Sequence, residues 1–206
     1  MKFVLLVEGH TERVAVPKFL KRWLDPQLKR PVKIQTVRFE GWPELVKDLA
    51  SRVSEILTGP ANSEVIAVVG LLDLYGPDIF PPKLRSSEER RLWAVEHLQS
   101  KVRDKRFHLF FAVHEVEAWL LSQPTLFDKA VLSALPRSPP EAVNFDRPPG
   151  KLLKELYRSR LKREYKKRID GPLLFQRLNP GVAREKCPNL RLMMDRMLEL
   201  AKEAGC

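Results

Sequence analysis

The sequence predicts an α/β protein: a mostly parallel sheet with helices on both faces, followed by a helical C-terminal extension. Apolar runs typical of strands alternate with amphipathic stretches in the first half of the 206-residue chain. The strand signal then stops near residue 123, and the rest has helical periodicity with proline-rich breaks. Strands that alternate with helices are joined by crossovers, which give a parallel sheet covered on both faces. We therefore place the α/β core at 1–122 and the helical extension, packed on it, at 123–206.

The individual elements follow from the spacing of apolar residues. Four apolar or alternating runs predict strands over 3–7, 33–39, 65–72 and 107–113. The third and fourth runs are almost wholly apolar, as expected of strands that are buried on both faces. Helical periodicity predicts helices over 11–24, 43–57 and about 86–102, and a short helix that begins in 114–117.

Residues typical of helix starts stand at the beginning of these predicted helices. Thr11 is predicted as the N-cap of the first helix, and Pro43 suits the first turn of the second. Ser86 or Ser87 can cap the third. Trp119, in the short fourth helix, is predicted as a core residue rather than a platform for stacking bases.

Composition excludes several classes of protein. Hydrophobic residues make up 44% and charged residues 31% of the chain, which is typical of a globular protein. No apolar run approaches the roughly 20 residues that cross a bilayer, and Glu8 interrupts the first apolar run before any signal-peptide cleavage site. The two cysteines, Cys187 and Cys206, have neither CxxC spacing nor a disulfide pattern. We expect a cytoplasmic protein without membrane association.

Positive charge is concentrated in one segment, 151–168. It contains nine Lys or Arg and two Glu, a net +7 of the +11 carried by the whole chain. A basic helix there would suit the phosphate backbone of a nucleic acid, whereas the alternative is a solvated helix whose leucines face the core. The candidate nucleic-acid-binding residues are Lys151, Lys154, Arg158, Arg160, Lys162, Arg163, Lys166, Lys167 and Arg168.

Acidic residues follow three of the predicted strands. Glu8 follows the first strand, Asp73 the third, and Glu115 and Glu117 the fourth. In open α/β sheets ligands bind outside the carboxyl ends of the strands. Carboxylates gathered there repel one another unless they are solvated, paired or bound to a cation, and oxygen ligands favour Mg²⁺ or Mn²⁺. The alternative is that each acid caps the next helix, which does not require every strand to end in acid.

The segment after the first strand adds three residues to this prediction. Gly9 allows a tight turn, and Glu12 lies four residues after Glu8, so that one helical turn can bring both carboxylates to one side. His10 could contact phosphate or metal, although a single loop histidine usually does neither.

Four motifs carry a resemblance to a known family: VEGHTE (7–12), LLDLYG (71–76), HEVEAWL (114–120) and PGKLLKEL (149–156). The first two resemble the first and second TOPRIM motifs, with Glu8 and Asp73 at their acidic positions. Together the four, spread over about residues 1–156, resemble a bacterial family of uncharacterised TOPRIM-like proteins, a domain of unknown function. That family is related to nucleases of the overcoming-lysogenization-defect (OLD) class, which commonly work with an ATPase.

One position departs from the TOPRIM pattern. The second motif usually reads Asp-x-Asp, and Tyr75 stands here in place of the second aspartate, with Asp78 displaced from that position. The resemblance implies that Glu115 or Glu117 supplies the missing ligand, because the nuclease relatives use an extra acid after a later strand. Those relatives also use a lysine in a subsequent motif, for which Lys151 is the matching candidate.

The sequence thus favours a metal-dependent phosphodiesterase, a nuclease acting on DNA rather than RNA. The resemblance implies a partner ATPase in a defence or mobile-element system, and the sequence itself contains no GxxxxGK[ST] motif. The predicted metal ligands for Mg²⁺ or Mn²⁺ are Glu8, Glu12, Asp73, Glu115 and Glu117, and the predicted catalytic residues are Glu8, Asp73 and Lys151. One alternative is a non-catalytic nucleic-acid-binding or regulatory subunit with a degraded metal site. Another is a small phosphate-ligand enzyme, which the lack of a glycine-rich loop beyond Gly9 disfavours.

Overall fold

The computed structural model describes residues 1–143 and 147–206. Four strands lie in these ranges: β1 (Lys2–Val7), β2 (Lys33–Arg38), β3 (Val65–Asp73) and β4 (Phe107–Ala112). The helices of the first half are α1 (His10–Leu24), α2 (Trp42–Thr58), α3 (Ser87–Gln99) and α4 (Glu117–Leu121). Those that follow are α5 (Lys129–Leu132), α6 (Pro149–Leu161), α7 (Lys167–Arg177), α8 (Pro180–Lys186) and α9 (Pro188–Glu203).

The four strands form one parallel sheet in the order β2-β1-β3-β4. Val7, the last residue of β1, lies opposite Arg38 of β2 and Leu71 of β3. Asp73, the last residue of β3, lies opposite Ala112 of β4. The carboxyl ends of the strands therefore meet at one edge of the sheet, and the segments that follow them are neighbours in space.

Helices cover both faces of this sheet, which confirms the predicted fold class. On one face α2 and α3 bury residues such as Leu49 and Leu98 against the sheet. On the other, Phe19 of α1 and Trp119 of α4 pack into a second apolar cluster. The central strands β1 and β3 are buried on both sides, which explains why their sequences are almost continuously apolar.

The C-terminal segment is helical, as predicted, and no strand follows β4 among the residues that the structure describes. Helices α7, α8 and α9 contact α1, and α9 also contacts β4. Phe175 of α7 and Met194 of α9 belong to the same apolar cluster as Phe19 of α1. The extension therefore packs on the α/β core through one continuous core. A division at residue 122 stays a prediction, and residues 144–146 of the extension lie outside the described ranges.

The start of α1 differs from the sequence prediction. Gly9, rather than Thr11, is the N-cap of α1, so the predicted cap is wrong. The Thr11 side chain is used elsewhere, because its hydroxyl donates a hydrogen bond to the backbone oxygen of Lys167 at 3.1 Å. This contact ties the start of α1 to the start of α7.

The third helix begins as predicted but ends earlier. Ser86 is its N-cap and forms a capping box with Glu89, in which each side chain accepts a backbone hydrogen bond from the other residue. The helix ends at Gln99, three residues before the predicted end.

The basic segment 151–168 is divided between two helices rather than forming one. α6 ends before Lys162, whose φ of 55° places it in the left-handed region that often closes helices. α7 begins at Lys167, and Asp170 accepts a backbone hydrogen bond just before that start. Lys167 and Lys151 are consequently carried by different helices.

Two further sequence expectations concern the membrane and the cysteines. No helix in residues 1–143 or 147–206 is long and apolar enough to cross a membrane.

Cys187 and Cys206 are both buried and not disulfide-bonded. Burial raises the pKa of the Cys187 thiol, so this side chain stays protonated and packs as a small apolar group.

Candidate functional site

Five acidic side chains gather at the carboxyl edge of the sheet. Glu8 directly follows β1 and Asp73 ends β3. Glu115 lies in the segment between β4 and α4, while Glu12 and Glu117 lie in the first turns of α1 and α4. The parallel sheet thus brings together residues from three widely separated parts of the sequence.

Three of these carboxylates each accept a hydrogen bond from a backbone N–H group at one oxygen. Asp73 N–H donates to Glu8 Oε1 at 3.0 Å, and Val116 N–H donates to Asp73 Oδ1 at 3.2 Å. Gly150 N–H, in the first turn of α6, donates to Glu115 Oε2 at 2.7 Å. Each contact fixes the orientation of a carboxylate without a countercharge.

A single lysine lies among the remaining oxygens. Lys167, the first residue of α7, places Nζ 3.0 Å from Glu117 Oε2 and 3.9 Å from Glu115 Oε1. The same atom is 3.9 Å from Glu12 Oε1 and 4.0 Å from Asp73 Oδ2. One ammonium group therefore faces four carboxylates, and we call these four residues with Glu8 the carboxylate cluster.

Two members of the carboxylate cluster are deeply buried without full hydrogen bonding. The side chains of Glu12 and Glu117 are 4% and 0% exposed. Glu12 Oε2 and both oxygens of Glu117 have no hydrogen-bond partner in the described residues, although Lys167 Nζ lies near one of them. Burying an ionised carboxylate is costly unless it is paired or bound to a cation. These oxygens are therefore suited to binding a cation in addition to Lys167.

The electrostatics of the carboxylate cluster agree with this geometry. Burial raises the pKa of Glu8 to about 7, against the opposing hydrogen bond from Asp73 N–H. Burial also raises the pKa of Glu117 to about 7 and that of Asp73 well above its usual range, although Lys167 opposes both shifts. The cluster thus carries more negative charge than its surroundings stabilise.

Burial and the neighbouring charges act in opposite directions on the pKa of Lys167. Burial by itself lowers the pKa of Lys167, but the neighbouring carboxylates, Glu117 and Asp73 foremost, outweigh burial and raise it. Lys167 is therefore a permanent cation in the structure.

The start of α7 is fastened on two sides, which fixes Lys167. Thr11 Oγ1 donates to the backbone oxygen of Lys167, as described above. Asp170 accepts a hydrogen bond from Lys166 N–H at 2.6 Å and pairs with both terminal nitrogens of Arg163 at 3.0 and 3.1 Å. The carboxylate of Asp170 thereby closes the turn that precedes α7.

The predicted catalytic lysine, Lys151, is exposed in the first turn of α6. The motif around it reaches the carboxylate cluster through the backbone of Gly150, where an added Cβ would lie 2.9 Å from Glu115 Oε2. Lys167 had been predicted only as a phosphate-binding residue. A lysine at a helix start opposes the helix dipole unless carboxylates lie nearby, but the sequence did not predict a helix start at Lys167.

The other predicted nucleic-acid-binding residues lie on the surface. All of them except Lys167 are exposed: Lys151, Lys154, Arg158, Arg160, Lys162, Arg163, Lys166 and Arg168. Arg163 is also engaged within the protein, by Asp170 and by the ring of Tyr157, whose centroid is 4.6 Å from the guanidinium carbon. Arg163 therefore has a structural role beside its predicted one.

A cavity of about 320 Å³ opens next to the carboxylate cluster and is lined by Glu8 of the cluster and by Lys167. Its other lining residues are Gly9, His10, Thr11, Arg38, Phe39, Glu40, Gly41 and Arg168. The cavity gives a ligand access to the cluster between the end of β2 and the start of α7. His10 thus lies beside the site, and Arg38 is a lining residue that the sequence did not suggest.

The residues of the atypical second motif lie at the surface. Tyr75 is 44% exposed, and its backbone N–H donates to His114 O at 3.0 Å. Asp78 is exposed in the loop after β3. Trp119 is 1% exposed and stacks on Phe19, which confirms that it is a core residue.

Comparisons with known proteins identify the family of the chain. Residues 7–198 match the family model "Domain of unknown function (DUF4276)", and no curated protein matches. The solved C-terminal region of the Burkholderia pseudomallei OLD protein is 20% identical with a TM-score of 0.47, covering 99% of this chain and 98% of that one. The C-terminal region of the Xanthomonas campestris pv. campestris OLD protein is 19% identical with a TM-score of 0.43, covering 98% and 94%. The four sequence motifs resemble a family that is related to the nucleases of this OLD class.

The family match extends over nearly the whole chain, from the last residue of β1 to α9. It includes all four motifs on which the resemblance rests, the carboxylate cluster and Lys167. The protein belongs to the family of the domain of unknown function DUF4276.

Proposed function

We propose that this protein is a divalent-metal-dependent phosphodiesterase that acts on DNA. The observation that carries the proposal is the carboxylate cluster itself: five acids at the carboxyl edge of one sheet, with a lysine between them. Structural acids at helix starts would be expected at the solvent, each near its own helix. Here Glu12 and Glu117 are buried, and the cluster faces an open cavity.

The donor set fits Mg²⁺ or Mn²⁺. All five side chains offer oxygen, which these ions prefer. Within the described residues, Glu12 and Glu117 hold buried oxygens without hydrogen-bond partners. In the present side-chain positions, no three Asp, Glu, His or Cys residues of the described ranges are grouped closely enough to hold an ion. Lys167 Nζ lies between the carboxylates, so metal binding would require small side-chain movements. When bound, such ions activate water and stabilise the leaving oxygen of a phosphodiester.

The roles of the chain's own residues follow from their anchoring. Glu8 and Asp73 are oriented by backbone N–H groups, which suits metal ligands that must keep their geometry. Glu12, Glu115 and Glu117 complete the ligand set. Lys167 is the cation placed to neutralise charge that develops on the phosphate. We assign it the role that the sequence suggested for Lys151.

DNA is the substrate that the surface charge and the motif resemblance support. The exposed cations of 151–168 provide contacts to a phosphate backbone, which hold a nucleic acid without reading its sequence. Arg38 and Arg168 line the cavity beside Glu8 and could hold a phosphate next to the one that is cleaved. A partner ATPase, implied by the resemblance to OLD nucleases, would have to supply any use of ATP.

A nicking assay on supercoiled plasmid tests the proposed function. The wild-type protein should nick DNA with Mg²⁺ or Mn²⁺ and not with EDTA. Glu8→Ala and Asp73→Ala should each abolish the activity, while Glu199→Ala, at an exposed acid of α9 outside the cluster, should retain it. Nicking that survives both Glu8→Ala and Asp73→Ala would refute the proposal.

One observation favours a second candidate, a non-catalytic nucleic-acid-binding or regulatory subunit. Tyr75 occupies the position of an aspartate that TOPRIM enzymes usually carry, and it is exposed rather than turned into the cluster. Titration calorimetry separates the two candidates. Salt-sensitive DNA binding without any affinity for Mg²⁺ or Mn²⁺ would favour the second, and Mn²⁺ binding lost in Asp73→Ala would favour the enzyme.

A further inference from the structure

The position of Lys167 implies more than a contact with substrate. Its Nζ lies within 4.0 Å of oxygens from Glu12, Asp73, Glu115 and Glu117. Among residues 1–143 and 147–206, it is the cation that forms ion pairs with this cluster. A group whose sole role is to meet a phosphate would be expected to point into the cavity, with its charge free for the ligand.

The surroundings of Lys167 show why an internal cation is needed. Four carboxylates lie around one ammonium, and Glu117 is fully buried while Glu12 is nearly so. Removing one partner of a buried ion pair leaves an uncompensated charge, which is strongly destabilising. Without Lys167 and without metal, mutual repulsion of the carboxylates would open the edge of the sheet.

The backbone of Lys167 is held in a way that brings the ammonium to this position. Its carbonyl accepts the hydrogen bond from Thr11, and an added Cβ on Gly171, one turn later, would lie 3.1 Å from Thr11 Cγ2. Asp170 and Arg163 close the preceding turn. The helix start is fixed against α1, whereas the long lysine side chain is 35% exposed and lines the cavity.

We infer that Lys167 is a tethered cation that holds the carboxylate cluster together in the metal-free protein and competes with a divalent ion for the same oxygens. A metal ion that binds Asp73, Glu115 and Glu117 would displace the ammonium from them. The displaced ammonium then lies at the cavity that Lys167 and Arg168 line, where a phosphate enters. Metal loading would thus deliver Lys167 to the substrate, a consequence that rests on the proposed function.

Calorimetric titration of Mn²⁺ into Lys167→Met tests the competition directly. Methionine keeps much of the length of the side chain and removes the charge. The variant should bind Mn²⁺ on the order of 10- to 100-fold more tightly than the wild type, since a unit charge about 4 Å from the ligands is removed. Lys202→Met, at an exposed lysine of α9, should leave the affinity unchanged. Measurable Mn²⁺ binding that is equal or weaker in Lys167→Met would overturn the competition between the ammonium and the metal.

A metal-free measurement separates this inference from the proposed function. In EDTA, Lys167→Met should unfold several degrees below the wild type, and the double variant Lys167→Met/Glu117→Gln should recover most of that loss. An equal loss with and without Glu117→Gln would overturn the tethered-cation role. Recovery in the double variant, with no Mn²⁺ binding by any of the proteins, would support that role and refute the metal enzyme.

The double variant also covers a failure to fold. If Lys167→Met does not fold and the double variant does, repulsion in the cluster is the cause, which supports the inference. If neither folds, charge imbalance is not the cause, and the inference is overturned.

Discussion

Gly150 donates its backbone N–H to Glu115 Oε2 at 2.7 Å and so ties the start of α6 to the acidic edge of the sheet. The donor lies in the first turn of α6, where N–H groups have no partner within the helix and the helix dipole favours negative charge. The contact orients Glu115 and leaves its other oxygen, Oε1, facing Lys167 at 3.9 Å. The motif around Gly150 thus acts on the site through its backbone.

Substituting Gly150 with alanine should weaken metal binding without destabilising the helix. The new Cβ would lie 2.9 Å from Glu115 Oε2, so the carboxylate must move, whereas alanine raises helix propensity by up to about 1 kcal/mol. We expect Mn²⁺ affinity in calorimetry to fall about tenfold with an unchanged or higher Tm. Gly181→Ala, at the start of α8, is the matched control and should not alter the affinity. Unchanged Mn²⁺ binding by Gly150→Ala would show that Glu115 is not a ligand.

Two lysine substitutions should differ sharply in their effect on cleavage. Lys167→Ala removes the cation that lies among the carboxylates and should lower kcat for DNA nicking about 100- to 1000-fold, as for the loss of a group that stabilises transition-state charge. Lys151→Ala removes an exposed side chain and should alter kcat only slightly. Single-turnover nicking rates measure both. The reverse order of effects would restore Lys151 as the catalytic lysine.

The metal-free protein should lose stability as pH rises through the range of the buried carboxyl groups. Burial raises the pKa of Glu117 from its ordinary value of 4.5 to about 7 in the folded protein, so the folded state binds the proton more tightly than the unfolded state. Its free energy of unfolding therefore falls between about pH 4.5 and 7, by about 3 kcal/mol from Glu117 alone, and stays low above pH 7.

Urea denaturation in EDTA at pH 5 to 8 measures this dependence. Glu117→Gln should reduce the slope and be more stable than the wild type at pH 8, whereas Glu199→Gln should leave the slope unchanged. Mn²⁺ should bind more tightly as pH rises over the same range, because it competes with protons for these oxygens. An identical slope in Glu117→Gln would contradict the assignment of the shift to this residue.

Charge removal on α6 and the turn after it should weaken DNA binding in a salt-dependent way. The triple variant Lys154→Ala/Arg158→Ala/Lys162→Ala removes three exposed cations. The slope of log K against log salt for duplex DNA should fall by up to about 0.9 for each lost phosphate contact. Lys47→Ala/Lys101→Ala/Lys105→Ala, with the same change of charge at exposed lysines elsewhere, is the control. Equal effects of both variants would indicate binding through net charge alone.

The sequence predicted the strands and the acids at their ends because both depend on short-range patterns. The apolar runs before Glu8, Asp73 and Glu115 mark buried strands, and a parallel sheet places the ends of such strands at one edge. That the acids gather there follows from topology, without knowledge of side-chain positions.

The place of Lys167 could not be predicted in the same way. It reaches the cluster because α7 packs on α1, a contact between segments more than 150 residues apart. Sequence periodicity suggested one basic helix over 151–168, but the left-handed Lys162 ends α6, and Asp170 accepts a backbone hydrogen bond from Lys166 just before α7 begins. The sequence thus suggested a surface lysine within one long helix, whereas Lys167 is the first residue of the next helix and is partly buried.

Anomalous diffraction from crystals soaked in Mn²⁺ tests the central claim most directly. The proposed function predicts an anomalous peak bound by Glu8, Asp73 and at least one of Glu12, Glu115 and Glu117, with Lys167 Nζ moved away from these oxygens. The absence of a peak at the carboxylate cluster in crystals soaked at saturating Mn²⁺, with Lys167 still between the acids, would contradict it.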